Sequence, residues 1–210
     1  MNASNPVAKQ AGPYLNPSKE RFCPISQRII IGITGASGAI YGIKTLMLLK
    51  ARGVETHLII TEAGKKSIEI ETDYKAGDIA AMADVLYDDK DVAAAPASGS
   101  FLTSGMVVAP CTIKTLSAIA NSYSANLLTR ASDVTLKEKR KLVLVVRETP
   151  LHKGHLSLMS RAADMGALIL PPMPSFYHRS ETIDDIVSQT VGKIFDFLGV
   201  AHDLFPRWGN

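Results

Sequence analysis

Three segments of this sequence carry residues that could bind an anion or transfer a proton, and each follows a run of apolar residues. Segment 32–42 reads Gly-Ile-Thr-Gly-Ala-Ser-Gly-Ala-Ile-Tyr-Gly, and segment 109–115 reads Ala-Pro-Cys-Thr-Ile-Lys-Thr. Glycine-rich turns and helix N-termini present backbone N–H groups that bind phosphate. The third segment is Arg147-Glu148, in which the guanidinium suits a phosphate or an electron-rich ring and the carboxylate suits proton transfer. These residue types predict a site that holds a phosphate-bearing ligand and moves a proton.

The spacing of the glycines indicates which kind of phosphate ligand to expect. Segment 32–42 matches neither the dinucleotide pattern G-x-G-x-x-G nor the P-loop pattern G-x-x-x-x-G-K-[ST], which favours a mononucleotide phosphate or a flavin over NAD or ATP. Two structural alternatives stay open: the glycines could serve only close helix–strand packing, and Thr112 could serve only as an N-cap. Cys111 has no base beside it in the sequence, which favours a small buried thiol over a nucleophile.

A basic cluster precedes Arg147 in the sequence, and an aromatic loop follows it. The cluster contains Arg130, Lys137 and the run 139–141, and a solvated helix face is enough to explain that run. Segment 171–179, Pro-Pro-Met-Pro-Ser-Phe-Tyr-His-Arg, is stiffened by three prolines and predicts either an aromatic wall or a packed loop. No His, Cys, Asp or Glu residues stand at metal-ligand spacing, so no metal site is predicted.

Apolar runs that alternate with helical periodicity predict the fold. Strands are predicted at 29–33, 57–60, 106–109, 142–146 and 167–170, and helices at 40–47, 65–71, 116–121, 156–165 and 183–198. Pro110 is predicted to end the third strand. Apolar strands that alternate with helices form a parallel sheet covered on both faces. The predicted fold class is α/β, a three-layer α/β/α doubly wound parallel sheet of the Rossmann or flavodoxin type, with its ligand at the carboxyl ends of the strands.

Composition limits the classes of function. The chain has 210 residues, 46% of them hydrophobic, and its net charge of +3 is too small and too evenly spread to indicate a nucleic-acid partner. No apolar run approaches the roughly 18 residues of a membrane span. Two cysteines do not build a disulfide framework, which favours a reducing compartment, the cytoplasm. The predicted organisation is an extension over 1–27 followed by one domain over 28–210.

Seven segments, taken in this order, resemble the UbiX flavin prenyltransferase family, and the resemblance runs from about Arg28 to Trp208. They are 35–42 (Gly-Ala-Ser-Gly-Ala-Ile-Tyr-Gly), 71–73 (Glu-Thr-Asp), 98–101 (Ser-Gly-Ser-Phe), 109–115, 127–134 (Leu-Leu-Thr-Arg-Ala-Ser-Asp-Val), 146–152 (Val-Arg-Glu-Thr-Pro-Leu-His) and 171–177. Ordered motifs along the whole domain are far more specific than any one glycine turn.

The resemblance implies a metal-independent transferase. Members of the family move a dimethylallyl group from dimethylallyl monophosphate to reduced FMN, form bonds at flavin N5 and C6, and release prenylated FMN. That product serves UbiD-type decarboxylases, including those of ubiquinone biosynthesis and aromatic-acid decarboxylation. The resemblance also implies a homo-oligomer, a dodecamer, in which neighbouring subunits contribute residues to each site.

The resemblance further implies roles for individual positions. The catalytic positions match Ser37, Glu71 and Glu148. The FMN-contacting positions match Gly35, Ala36, Ser37, Thr61, Thr112, Ile113, Lys114, Thr115 and Arg147. The positions around the prenyl phosphate match Tyr177, Lys193, Arg130, Lys137 and Trp208. Two other functions stay open: a carrier that only binds FMN, and an FMN-dependent cysteine decarboxylase of the same fold, whose Pro-x-Met-Asn motif is replaced here by Pro-Met-Pro-Ser at 172–175.

Overall fold

The computed structural model describes residues 27–209, so of the predicted extension 1–27 only Gln27 lies among the described residues. These residues form six strands: β1 (Arg28–Ile33), β2 (Glu55–Ile60), β3 (Val85–Tyr87), β4 (Gly105–Cys111), β5 (Lys141–Val146) and β6 (Leu168–Ile169). They also form seven α-helices: α1 (Ala39–Ala51), α2 (Glu62–Glu71), α3 (Ala76–Met82), α4 (Ile113–Ala120), α5 (Leu127–Lys137), α6 (Lys153–Asp164) and α7 (Ile183–Leu198). None of these helices has the length and apolarity needed to cross a membrane.

The strands form one sheet in which every neighbouring pair runs parallel, in the order β3-β2-β1-β4-β5-β6. The chain builds outward from β1 through β2 to β3, then returns and continues with β4 on the other side of β1. The predicted doubly wound parallel sheet is therefore confirmed. In such a sheet a crevice opens outside the carboxyl ends of the two strands at which the order reverses, here β1 and β4.

Two apolar cores, one on each face of the sheet, hold this arrangement. Ile29, Ile31 and Ile33 of β1 belong to the core that includes α1 and α7, whereas Ile30 belongs to the core that includes α4, α5 and α6. Because successive side chains of a strand point to opposite faces, a strand buried on both faces must be apolar throughout. This explains the unbroken apolar runs of β1 and β5.

Three elements are missing from the sequence-based prediction. Helix α3 and strand β3 span seven and three residues, which is too short for a periodic signal. Helix α5 is longer, but its buried face includes Thr129, Ser132 and Thr135. Hydroxyls on the buried face interrupt the apolar stripe by which an amphipathic helix is recognised.

Pro110 does not end β4, contrary to the prediction. The strand continues to Cys111 after a cis bond between Ala109 and Pro110, and its pairing with β5 shifts register between Val108 and Cys111. Proline has no N–H to give to the ladder, so it is tolerated inside a strand only at such an irregularity. The strand therefore reaches two residues further toward the crevice than expected.

Helix α1 approaches the sheet so closely at Gly42 that no side chain fits there. A Cβ at this position would lie 2.1 Å from the carbonyl oxygen of Ala109 and 2.8 Å from Cγ1 of Ile33. We expect Gly42→Ala to lower the free energy of unfolding by about 2–3 kcal/mol, because the helix must move away from β4. Urea denaturation followed by circular dichroism measures this loss.

Gly77→Ala is the matched control, because a Cβ at Gly77 in α3 meets no atom within 4 Å. Alanine is the better helix former, so this variant should be unchanged or more stable by up to about 1 kcal/mol. A Gly42→Ala protein as stable as the Gly77→Ala protein would contradict the close approach of α1 to the sheet.

Candidate active site

A buried threonine joins the two strands at the crevice. Thr34, the first residue after β1, is 1% exposed. Its hydroxyl donates to the carbonyl oxygen of Pro110 at 2.7 Å and accepts from the backbone N–H of Thr112 at 3.0 Å. These two bonds fix the turn that follows β1 against the turn that follows β4. No role is predicted for Thr34 from the sequence, where its only signal is a hydroxyl directly after a buried strand.

A cavity of about 410 Å³ lies at this edge of the sheet. Its walls include five of the predicted FMN-contacting residues: Gly35, Thr61, Thr112, Lys114 and Thr115. Two helices begin here, since Thr61 caps α2 by accepting from the N–H of Gly64 at 3.0 Å and Thr112 caps α4 by accepting from the N–H of Thr115 at 3.0 Å. Two helix N-termini, three hydroxyls and one ammonium group fit a phosphate monoester.

Close packing also requires the glycine at position 35. A Cβ on Gly35 would lie 2.4 Å from the Cβ of Ala63 in the first turn of α2. The packing interpretation left open by the sequence therefore explains this glycine, and the same packing brings the start of α2 beside the cavity. Ala36 and Ile113, also predicted to contact FMN, are half-buried; Ala36 lies in the turn after β1, and Ile113 is the first residue of α4.

Five residues line the cavity without having been predicted: Thr34, Glu62, Ala63, Asp89 and Asn126. Asn126 is the N-cap of α5, and Asp89 follows β3. Oδ2 of Asp89 accepts from the side-chain amide of Asn126 at 2.7 Å, and its Oδ1 accepts from the N–H of Leu128 at 3.1 Å. Both oxygens of the Asp89 carboxylate therefore accept hydrogen bonds at the start of α5. The sequence offers little signal for this aspartate, because β3 itself is not predicted.

The N-terminus of α1 is occupied by a carboxylate of the chain itself. Oε2 of Glu71 accepts from the backbone N–H of Gly38 at 2.7 Å and from that of Ala39 at 3.0 Å. The hydroxyl of Ser37 also hydrogen-bonds the Glu71 side chain. Two predicted catalytic residues, Ser37 and Glu71, are therefore in contact. The sequence predicts that backbone amides at the start of α1 bind phosphate, but in the structure the amides of Gly38 and Ala39 bind Glu71 instead.

The pKa of Glu71 lies below its usual value of 4.5. Burial by itself raises this pKa, but the two backbone hydrogen bonds, the Ser37 hydroxyl and the positive charge of Arg147 together outweigh it. Glu71 is therefore ionised at neutral pH. The influence of Arg147 also places the guanidinium within electrostatic range of the turn after β1.

Arg147 and Glu148 follow β5 directly at the same edge of the sheet, beside a cavity of about 290 Å³ that they line together with the prolines of 171–174. The backbone N–H of Arg147 donates to the carbonyl oxygen of Cys111 at 3.1 Å, which holds the end of β5 against β4. Glu148 is exposed, and its Oε1 accepts only from the neighbouring N–H of Thr149, at 3.0 Å, among the hydrogen bonds of residues 27–209. This carboxylate is free to meet a ligand.

Tyr41 belongs to the same region and was not predicted. Its ring lies against the turn after β1, because a Cβ on Gly38 would be 2.8 Å from Cδ2 of Tyr41. Burial raises the pKa of Tyr41 against the opposing effects of Arg147 and of a hydrogen bond with the side chain of Thr190. The phenol therefore stays protonated between α1, α7 and Arg147. Its only sequence signal is its place in segment 32–42.

Tyr177 and Trp208, predicted to surround the prenyl phosphate, are brought together. Their rings meet edge to face with centroids 5.4 Å apart, and Trp208 is 82% exposed. Lys193, predicted for the same site, lies on α7 with its ammonium 5.3 Å from the centroid of the Phe205 ring. The segment after β6 and the end of the chain thus present an exposed aromatic pair.

Arg130 and Lys137 are not brought to this edge of the same chain. Arg130 lies one turn into α5, where its Nε donates to the carbonyl oxygen of Ala97 at 3.2 Å and its Nη1 to Oδ2 of Asp133 at 2.9 Å. Lys137 ends α5 and forms an ion pair with Glu138. At 1.5 Å per residue α5 carries Lys137 about 15 Å away from the cavity at its start, toward the amino ends of the strands.

Cys111 is the small buried thiol that the sequence favours. It is fully buried, and burial raises its pKa to about 12. A thiol in this state is not a nucleophile at neutral pH. Among residues 27–209, His, Cys, Asp and Glu side chains nowhere gather in threes as a metal site would require.

We expect Glu71→Gln to lower stability in a pH-dependent way. A carboxylate whose pKa is lower in the folded than in the unfolded chain stabilises the fold above 4.5, and this stabilisation is lost as the pH falls through the folded pKa. The free energy of unfolding should fall by about 0.5–1 kcal/mol at neutral pH, as for an exposed carboxylate at a helix N-terminus. The difference should shrink in acid; urea unfolding across a pH series measures it.

Glu69→Gln, an exposed glutamate of the same helix, is the control and should match the unmodified protein at every pH. A Glu71→Gln deficit that stays constant from neutral pH into acid would show that Glu71 does not act through its charge at the start of α1.

Comparison with known proteins identifies the family of the chain. The family model described as Flavoprotein matches residues 18–195. The flavin prenyltransferase UbiX of Thauera aromatica is 55% identical over 184 residues, which cover 87% of this chain and 95% of that protein.

Two solved structures are similar in fold and sequence. AnUbiX (PadA1), in complex with FMN and dimethylallyl pyrophosphate, has a TM-score of 0.86 and 43% identity over 88% of this chain and 98% of that one. A dodecameric FMN-dependent UbiX-like decarboxylase from Escherichia coli O157:H7 has a TM-score of 0.85 and 46% identity over 88% of this chain and 100% of that one. The chain belongs to the UbiX flavin prenyltransferase family.

Proposed function

We propose that this family member transfers the dimethylallyl group of dimethylallyl monophosphate to reduced FMN. The C–O bond to the phosphate breaks and phosphate leaves, and flavin N5 bonds to the freed C1 carbon and loses its proton. The alkene carbon C2 then takes up one proton in place of that lost from N5, flavin C6 bonds to C3, and the proton on C6 is lost. Reduced FMN supplies the two nucleophilic atoms, and the product is prenylated FMN. The observation that carries the proposal is that a phosphate-binding cavity and the pair Arg147-Glu148 share one edge of the sheet.

The cavity at the starts of α2 and α4 is the proposed site for the FMN phosphate. Lys114 supplies a full positive charge there, and the Thr115 hydroxyl, which accepts from that of Thr112 at 3.0 Å, supplies a donor. Arg147 lies one strand further along the sheet, where a planar guanidinium can stack on or hydrogen-bond to the flavin ring. The buried hydrogen bonds of Thr34 fix the turn after β1 against the turn after β4.

Glu148 is the carboxylate we propose for removing the proton. Glu71 already accepts from two backbone amides and from Ser37, and these bonds lower its pKa, so it is a poor base. Its proposed role is to hold Ser37 and the turn after β1 in place. Glu148 is exposed and accepts from one backbone N–H, that of Thr149, among the hydrogen bonds of residues 27–209, so it can accept a proton in the adjoining cavity.

The leaving phosphate and the allylic group need opposite surroundings. Departure of the phosphate builds negative charge, which the cations Arg130, Lys137 and Lys193 would stabilise without a metal. The allylic carbons develop positive charge, for which the exposed aromatic pair Tyr177 and Trp208 offers cation–π stabilisation.

A complete site requires a second copy of the chain. Lys137 lies toward the amino ends of the strands, whereas Glu148 lies at their carboxyl ends, so one chain does not join them. We propose that a neighbouring subunit contributes Arg130 and Lys137, as in a homo-oligomer of the dodecameric kind. Delivery of the product to a UbiD-type decarboxylase stays a prediction from the resemblance, and a cytoplasmic location stays a prediction from the cysteine content.

We expect anaerobic incubation with reduced FMN and dimethylallyl monophosphate to give a flavin heavier by one C5H8 unit. Glu148→Gln should bind FMN normally but form this product at least about 100-fold more slowly, because a general base typically contributes that much. Mass spectrometry of the extracted flavin and flavin fluorescence measure the two quantities. Glu69→Gln, an exposed glutamate far along α2, should behave like the unmodified protein.

The same incubation separates the alternatives. Binding of FMN without any adduct would favour the FMN carrier or the cysteine decarboxylase, and release of carbon dioxide from a cysteine-bearing substrate would select the latter. Full product formation by Glu148→Gln would show that Glu148 does not remove the proton.

We also expect activity to return when Lys137→Ala and Glu148→Gln subunits are mixed. If each site takes Lys137 and Glu148 from different chains, random mixing restores about one quarter of the sites. Co-expression with two affinity tags and purification of doubly tagged oligomers provides the sample for the adduct assay. Mixed oligomers no more active than either parent would show that both residues act within one chain.

A further inference from the structure

The ion pair between Asp196 and Arg207 has no part in the function proposed so far. Asp196 lies near the end of α7, and Arg207 lies in segment 200–208, which follows that helix. Nη2 of Arg207 donates to Oδ1 of Asp196 at 2.7 Å, and Nη1 donates to Oδ2 at 2.9 Å. Two parallel hydrogen bonds between a guanidinium and a carboxylate fix the direction of each side chain as well as their distance.

The same carboxylate also binds His202, in the first half of the segment. Nδ1 of His202 accepts from the N–H of Leu204 at 3.2 Å, so the neutral ring carries its proton on Nε2 and donates it to Oδ1 of Asp196 at 3.0 Å. Nε2 of His202 lies 3.2 Å from Nη2 of Arg207. Both of these nitrogens are donors, and Asp196 is the acceptor that they share. Without the carboxylate the two donors would face each other, so Asp196 maintains both contacts.

Aromatic packing places the middle of the segment against α7 at Gly192. A Cβ at this position would lie 2.4 Å from Cε1 of Phe205 and 2.8 Å from Cε1 of His202, so both rings lie directly against the helix backbone. Phe205 is buried, and the guanidinium carbon of Arg207 lies 5.1 Å from the centroid of its ring. The segment is therefore packed on α7 through its rings and bonded to α7 through Asp196.

The start of the segment is fixed independently of Asp196. The backbone N–H of Val200 donates to the carbonyl oxygen of Phe195 at 2.9 Å. Nε of Arg52, the residue after α1, donates to the carbonyl oxygen of Ala201 at 3.1 Å. Loss of the Asp196 carboxylate should therefore release the end of the segment and leave its start in place.

The end of the segment carries Trp208, the residue next to Arg207. Its ring meets that of Tyr177 edge to face with centroids 5.4 Å apart, yet 82% of Trp208 is exposed, so burial by itself contributes little to holding it. A side chain that is mobile before the ligand binds costs free energy when it is ordered on binding. The bidentate pair one residue away fixes the backbone from which Trp208 projects.

We propose that Asp196 is a positioning residue, which holds segment 200–208 on α7 through Arg207 and His202 and so keeps Trp208 against Tyr177. The inference rests on the proposed function, in which this aromatic pair stabilises the positive charge of the allylic carbons. The hydrogen bond from Arg207 keeps the pKa of Asp196 below its usual value of 3.8 although burial opposes this, so the pair is charged at neutral pH.

Asp196→Asn tests the proposal, and the chain contains its own reporter. Trp208 is the only tryptophan, so tryptophan fluorescence reports on the end of the segment directly. We expect this variant to lower the fluorescence anisotropy, because the ring gains freedom. The KM for dimethylallyl monophosphate should rise about tenfold, as for the loss of one hydrogen bond to a charged group, with the Kd for FMN unchanged.

Asp203→Asn is the matched control from the same segment. The Asp203 side chain is 98% exposed, and its ion pair with Arg52 has a separation of 3.7 Å. Such an exposed pair contributes little, so this variant should keep the anisotropy and the KM of the unmodified protein. Arg207→Gln should repeat the losses of Asp196→Asn. The double variant should lose no more than Asp196→Asn by itself, because both changes remove the same pair.

The anisotropy is measured without substrate, which separates this inference from the proposed function. If the unmodified protein forms no adduct but Asp196→Asn still lowers the anisotropy, the reaction is wrong and the positioning of Trp208 stands. If the adduct forms and Asp196→Asn leaves either the anisotropy or the KM unchanged, the positioning role is overturned. Equal loss of FMN and substrate binding would overturn it too, by assigning Asp196 to the stability of the whole fold.

Discussion

The hydrogen bonds of Thr34 are the interaction on which the arrangement of the site depends. In a doubly wound sheet the crevice lies where the strand order reverses, so the turns after β1 and β4 must be fixed relative to each other although 76 residues separate Thr34 from Pro110. One buried hydroxyl does this by donating to one turn and accepting from the other. Loss of either bond inside the protein would leave a polar group unsatisfied, so the connection is specific as well as stabilising.

Two helix N-termini are occupied by carboxylates of the chain itself, and two others remain open to a ligand. Glu71 fills the start of α1, and Asp89 fills the start of α5. The starts of α2 and α4 are capped by the hydroxyls of Thr61 and Thr112, and Glu62 in the first turn of α2 is paired with Lys65. Because an anion is held best where backbone amides are not already neutralised by a carboxylate, this distribution directs a phosphate to α2 and α4.

The chemistry of the molecule is divided between two edges of the sheet. The side chains proposed to bind the flavin and Glu148 lie at the carboxyl ends of the strands, while Lys137 lies toward the amino ends. Helix α5 is a rigid spacer between them, so no local rearrangement of one chain could unite the two groups. The division explains why oligomerisation and activity are connected in our proposal.

The sequence by itself determined the fold class, the places of five strands and the composition of the two turns, because apolar periodicity and glycine spacing are local properties. It also indicated that Arg147 and Glu148 follow a buried strand at the ligand edge. Only the tertiary structure decided that β4 runs through Pro110, that Glu71 occupies the start of α1, and that Tyr41 and Asp89 border the site. These features are contacts between residues far apart in the chain, set by which helix packs against which strand. A sequence pattern shows which face of each helix or strand is apolar, but not which other element packs against that face. This packing determines where the charged residues lie relative to one another.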